Sequence, residues 1–147
     1  MNAAGVNIHG TAIVVGTTGL LFLGPSGAGK SSLAFGCLSE ATMRGQFAAL
    51  VADDQVYLSL FGTHVIARRP ETIWDLMELR YGGIARVDSI PSARLDYAIL
   101  PIEQSAAERL PERHRPVTLF GDVRLPAIHV PLHERLPFSF INALIAS

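Results

Sequence analysis

Eight residues in the first quarter of the chain have the types and spacing for phosphate chemistry. Gly24, Pro25, Ser26, Gly27, Ala28, Gly29, Lys30 and Ser31 read GPSGAGKS and fit the pattern GxxxxGK(S/T). Glycines at this spacing let backbone N–H groups turn inward around phosphate oxygens. A helix beginning at the lysine adds the positive end of its dipole. Lys30 would then reach the β and γ phosphates of a nucleoside triphosphate such as ATP, and Ser31 would ligate Mg²⁺. The bland reading is a glycine turn that happens to carry Lys-Ser. The flanking LLFLG and SSLAFG, an apolar strand before and an amphipathic helix after, speak against it.

A phosphate loop needs an acidic group for its metal, usually at the end of a neighbouring apolar strand. The stretch ALVADD, 49–54, supplies Asp53 and then Asp54. One carboxylate is enough for a metal, bound directly or through water. Asp53 is assigned that role, which leaves Asp54 to accept a proton from an incoming hydroxyl. A strand that simply ends in an Asx turn is the alternative.

Three further candidates carry less information alone. His9 stands in NIHGT and is expected just before the first strand. A lone histidine near a terminus is ordinarily structural. Glu78, in MELRYGG, could add a metal-linked carboxylate, or end a solvated helix together with Arg80. Arg109 opens the charged stretch RLPERHR, with Arg113 and Arg115. One such arginine could neutralise charge on a transferring phosphoryl group, and a solvated loop is the competing reading.

The elements that must position these residues follow from local pattern. TAIVV (11–15) and LLFLG (20–24) read as strands joined by GTTG, a hairpin signal. From Lys30 to about Arg44 the periodicity is helical, with Leu33, Cys37 and Ala41 on one face. Gly36 weakens that helix by roughly 1 kcal/mol, and Gly45 stands where it should end. VYLSL and HVIAR flank FGT as a second hairpin. ETIWDLMELR is expected as a short helix, YGGIARVDSI as a loop entering a strand, and RLDYAILPIE as one strand. RLPERHRP is a polar loop. VTLF and VRLPAIHVP form a third hairpin around GD, and PFSFINALIAS a terminal helix. Many strands and one clear central helix predict an α/β domain with a mixed β-sheet around the phosphate-loop helix.

Composition excludes several classes. The chain has 147 residues, enough for one domain, and 49% of them are hydrophobic against 17% charged, so it folds around a core. A net charge of −1 offers nothing general to nucleic acid or to an anionic membrane. The N-terminus lacks a cationic start, so no secretory leader is expected. A single cysteine, Cys37, forbids an intrachain disulfide and points to a reducing, cytoplasmic setting.

Taken in order, IHGT, GPSGAGKS, LVADD and MELR followed by GGI resemble the HPr kinase/phosphorylase family. Residues 7–88 carry the similarity best. The resemblance implies a fold of the phosphoenolpyruvate carboxykinase type and one catalytic domain over 1–147. It implies serine phosphorylation of the phosphocarrier protein HPr with ATP and Mg²⁺. In many members phosphorolysis of the phosphoserine also occurs, with pyrophosphate as product. Assembly into hexamers is common. By motif position Lys30 and Ser31 match the phosphate-loop lysine and metal-ligating serine, and Asp54 the proton acceptor. His9 matches an active-site histidine, Glu78 a metal-site glutamate and Arg109 an active-site arginine.

The chain departs from the family pattern in several places, and the helices expected after the last strands are mostly not seen. Tyr81 stands where the signature has glycine. LHERLP, 132–137, lies in the approximate position of a PGRN-type loop linked to dephosphorylation. The N-terminal domain of full-length members is not seen, so the chain resembles the short forms. Two rivals stay open: a related phosphotransferase with another acceptor, and a nucleotide-sensing module with little catalysis. A sensor has no need of a base, so the pair Asp53–Asp54 argues against it.

Overall fold

The stretches that are apolar at every position become the central strands, because both of their faces are covered. In the computed structural model, residues 5–25, 27, 29–71, 75–79, 81–103 and 114–146 are described. Within them β1 spans Val6–His9, β2 Thr11–Val15, β3 Thr18–Phe22, α1 Lys30–Met43 and β4 Ala48–Ala52. Next come β5 Gln55–Phe61, β6 His64–Arg68, β7 Leu76–Leu79, β8 Gly83–Arg86, β9 Ser92–Leu95 and β10 Tyr97–Ile102. Last are β11 Pro116–Phe120, β12 Val123–Pro131 and α2 Pro137–Ala146.

A six-stranded mixed sheet, ordered β11-β12-β10-β3-β2-β4, forms the middle layer. Side chains alternate across it with the strand period of two. From β2, Ile13 and Val15 go to the helical side, where Leu33, Cys37, Phe138 and Ile141 of α1 and α2 complete one core. Ala12 and Val14 go to the other side and pack with Val56, Leu58, Val65 and Leu95 of the four-stranded sheet β1-β5-β6-β9. Burial on both faces is why TAIVV reads as an uninterrupted apolar run. Gly36, a poor helix former, sits where α2 crosses α1. A methyl group there would lie 3.0 Å from Pro137 Cγ.

Strand directions place the functional loops. β3 and β10 are parallel, and so are β10 and β12. β4 runs antiparallel to β2, which runs antiparallel to β3. The C-terminal ends of β3, β4, β10 and β12 therefore share one edge of the sheet, the edge where open α/β sheets bind ligands.

Three expectations need correction. RLDYAILPIE is two strands in two sheets, broken at Asp96. There the chain crosses β3 so closely that a methyl group on Gly19 would lie 1.9 Å from the Arg94 carbonyl oxygen. Asp96 pins the crossing: its carboxylate accepts from the Gly19 N–H at 2.8 Å, and its own N–H donates to the Gly19 carbonyl at 2.8 Å. The second half of ETIWDLMELR is strand β7 and not helix, and GIAR of the expected loop is its partner β8. Met77 is buried between exposed Leu76 and Glu78, a strand alternation that four residues are too few to advertise. His9 ends β1, a strand paired to β5, instead of preceding the first strand. Among the described residues no helix is long and apolar enough to cross a membrane.

Candidate active site

The glycine loop leaves β3 and enters α1 through Gly29, whose φ of 94° admits glycine readily and strains other residues. No side chain caps this helix start, so its first N–H groups are open to an anion. Lys30 is buried, and its Nζ donates to the carbonyl oxygens of Gly24 at 2.8 Å and Pro25 at 3.0 Å. The loop's own carbonyls thus hold the ammonium where phosphate oxygens would compete for it. Ser26 and Ala28 lie outside the described residues.

Asp53 organises the opposite wall. Its Oδ1 accepts from Ser31 Oγ at 2.7 Å and from Thr11 Oγ1 at 2.8 Å. Its Oδ2 accepts from the Glu78 backbone N–H at 3.1 Å. Strands β2, β4 and β7 and helix α1 converge on this one carboxylate. Thr11 was missed by the motif reading, because its partner lies far away in sequence. It is a fully buried hydroxyl opening an apolar strand, and a buried hydroxyl requires a partner.

Asp54 follows in a tight turn. The Gln55 N–H donates to the Asp53 carbonyl at 2.9 Å, and Asp54 itself adopts φ 72°. Aspartate tolerates this left-handed conformation better than most residues. The Asp54 carbonyl accepts from the Gly10 N–H at 3.1 Å, which ties the turn to the end of β1. His9 Nδ1 lies 3.5 Å from Asp54 Oδ1, with both side chains largely exposed, at 67% and 73%.

A cleft of about 460 Å³ joins these groups. Gly27, Gly29, Lys30, Ser31 and Ser32 line it from the loop and helix, and Thr11, Asp53, Asp54 and Glu78 from the strands. Of the candidates, Lys30, Ser31, Asp53, Asp54 and Glu78 share the cleft. His9 adjoins it through Asp54. Arg109 falls outside the described residues. Ser32 was not singled out by the motif reading.

The donor set suits a hard cation. A serine hydroxyl and a carboxylate oxygen, 2.7 Å apart, line the cleft. Among the described residues no three His, Cys, Asp or Glu side chains cluster as a self-sufficient metal cage. Mg²⁺ needs no such cage, since it binds through one or two carboxylates with substrate phosphates and waters. Tyr81, in the β7–β8 turn, has φ 68° and is 96% exposed.

Residues 2–143 match the family model described as HPr Serine kinase C-terminal domain. A protein named HPr kinase/phosphorylase from Mycoplasmopsis pulmonis is 27% identical, with 88% of this chain and 43% of that protein covered. One of the same name from Prosthecochloris aestuarii is 30% identical over 94% of this chain and 42% of its own length. The chain thus spans less than half the length of these relatives. A solved structure titled as the Hpr(Ser) kinase/phosphatase from Coxiella burnetii superposes with a TM-score of 0.77 at 21% identity. It covers 96% of this chain and 94% of that one, so the two share a fold.

Proposed function

The chain belongs to the HPr serine kinase C-terminal domain family, and we propose that it transfers the γ-phosphoryl group of ATP to a serine hydroxyl of the phosphocarrier protein HPr. The observation that carries this reading is the convergence of Ser31 and Asp53, 2.7 Å apart, on a cleft that Lys30 and Asp54 also line. It supplies a phosphate seat, a metal wall and a second carboxylate with no bond to the first.

The glycine loop and Lys30 hold the phosphates. Ser31 and Asp53 would hold Mg²⁺, with Glu78 beside them, and the ion would offset charge on the β- and γ-phosphate oxygens. Asp54 accepts the proton of the serine hydroxyl as its oxygen bonds to the γ phosphorus. The bridging bond to the β-phosphate breaks, and ADP leaves with that electron pair. His9, close to the Asp54 carboxylate, orients it. Arg109 is the candidate for the transferring group's remaining charge. Catalysis of this kind is positioning and electrostatics more than covalent chemistry. Phosphorolysis is the same path reversed with inorganic phosphate as nucleophile. LHERLP has neither glycine nor asparagine, so phosphorolysis should be slower, relative to kinase activity, than in members with a PGRN-type loop.

Incubation with γ-labelled ATP, Mg²⁺ and purified HPr tests the reading, with phosphoserine on HPr as the expected product. ATP binding without any label on HPr would point to another acceptor. A chain that hydrolyses and transfers nothing would be the sensor.

A further inference from the structure

The cleft accounts for the phosphates and the acceptor side, but not for the nucleoside. We propose that the loop between β12 and α2, with Leu132, His133 and Arg135, is the wall against which the nucleoside of the triphosphate rests. This rests on the phosphate-loop reading above and goes beyond it. The sheet order runs β12-β10-β3-β2-β4. The reacting end of the triphosphate faces β4, where Asp53 and Asp54 follow the strand. The other end must therefore leave toward β10 and β12. β12 stands two strands from β3, about 10 Å, which is the reach from the phosphates to a base. Its C-terminal end opens at the same edge, because β3, β10 and β12 run parallel.

Contact and shape agree with direction. A methyl group on Gly29 would lie 2.5 Å from Leu132 Cδ2, so Leu132 packs directly on the phosphate loop. Gly29 lines the phosphate cleft, whereas Leu132 lines a second cavity of about 430 Å³ with Pro131, His133, Glu134, Arg135 and Leu136. The two spaces therefore meet across one van der Waals contact. The second offers apolar surface from two leucines, plus an imidazole and a guanidinium, planar groups that stack on a base, while the Glu134 carboxylate in the same lining accepts from the Leu136 N–H at 3.2 Å.

The wall is also held still. The Leu132 N–H donates to the Ile102 carbonyl at 2.9 Å, and the Glu134 N–H to the Pro131 carbonyl at 3.1 Å. Just beyond, the buried Glu40 carboxylate of α1 accepts from the N–H groups of Phe138 at 3.0 Å and Ser139 at 3.1 Å. A preformed wall loses little entropy on binding.

The test compares ATP with inorganic tripolyphosphate, which carries the phosphates without a nucleoside, by calorimetry on the whole chain. Leu132→Ser and Arg135→Ala should each weaken ATP about five- to tenfold, while tripolyphosphate stays within about twofold. Arg135 is exposed, so its variant folds even if Leu132→Ser does not. Lys30→Ala should weaken both ligands. If Lys30→Ala weakens both but the loop variants leave ATP unchanged, or shift the two ligands equally, the nucleoside wall is wrong and the phosphate loop stands. If Lys30→Ala changes neither ligand, the phosphate-loop reading falls and the wall with it.

Discussion

At its first turn α1 meets a loop whose polar groups hold exchangeable partners, and three turns later it meets a second helix through groups that have none to spare. Lys30 Nζ is held by two carbonyls of its own loop, Ser31 by Asp53, and the helix N–H groups by no side chain. Glu40, in contrast, is buried and accepts from the Phe138 and Ser139 N–H groups and the Ser139 hydroxyl, and Arg44 Nη2 lies 3.3 Å from it. Arg44 also stands over the Phe138 ring, at 6.0 Å from its centroid. A carboxylate from one helix thus caps another, whose first residue, Pro137, has no N–H to satisfy. One end of α1 keeps contacts that a ligand can replace, and the other keeps contacts that only unfolding breaks. The lesson is that burial alone does not tell the two ends apart, since Lys30 and Glu40 are both buried.

The largest effect that would break this contrast lies at Lys30. Lys30→Ala should abolish nucleotide-dependent transfer while shifting the thermal midpoint little, because the side chain's partners are loop carbonyls that water can reach once it is gone. Unchanged affinity for ATP with Mg²⁺ in this variant would remove the basis for calling the first end functional. Asp54→Asn comes next. It keeps the shape but not the base, so transfer should fall about 10²–10⁴-fold while ATP still binds. Wild-type single-turnover transfer would refute the division of labour between the two aspartates.

The other end should answer in stability. Glu40→Ala leaves two helix N–H groups and a serine hydroxyl without their acceptor, at a cost of about 2–4 kcal/mol. In a chain of this size that is about 10 °C in Tm. Tripolyphosphate affinity should stay within about twofold, because the proposed phosphate seat lies at the far end of the helix. A variant that melts with the wild type, or that loses the phosphate seat as well, would erase the contrast.

The first end was legible in sequence and the second was not, for a physical reason. A phosphate site would constrain residue types at fixed spacing within a short stretch of chain, so GPSGAGKS and ADD mark a candidate in sequence. Helix capping by Glu40 pairs residues nearly a hundred positions apart, and no local pattern carries that. The same distinction explains Thr11, whose partner Asp53 is 42 residues away. It explains β7 and β8, too short for a period, and Asp96, whose strand break is enforced by Gly19 on another strand. The positive φ of Tyr81 is hidden by its residue type, since tyrosine is unfavourable there, and shows in sequence only through the glycine that the family signature has at this position. Elements with their whole cause nearby, such as α1 and the β2–β3 hairpin, were read correctly to within a few residues.

The smallest effect sharpens the second end further. Cys37 is fully buried one turn before Glu40. Burial pushes its thiol well above the ordinary value of 9.0, and the Glu40 charge pushes it further in the same direction. Below the ordinary value the thiol is neutral in both the folded and unfolded chains, so it contributes no pH dependence. Above it the unfolded thiol loses its proton while the folded one keeps it, which favours unfolding. Stability should therefore fall as pH rises past 9.0, by up to about 1.4 kcal/mol per pH unit from this group. Tyrosines and lysines titrate in the same range, so the informative quantity is the difference in slope between wild type and Cys37→Ala in urea unfolding. Identical slopes would mean that the thiol ionises without unfolding, and hence that the second end of α1 opens to water. In Glu40→Ala the slope should persist, because burial is the larger cause and remains when the charge is gone. Loss of the slope in that variant would show that Glu40, and not the packed core around Cys37, keeps this end of the helix dry.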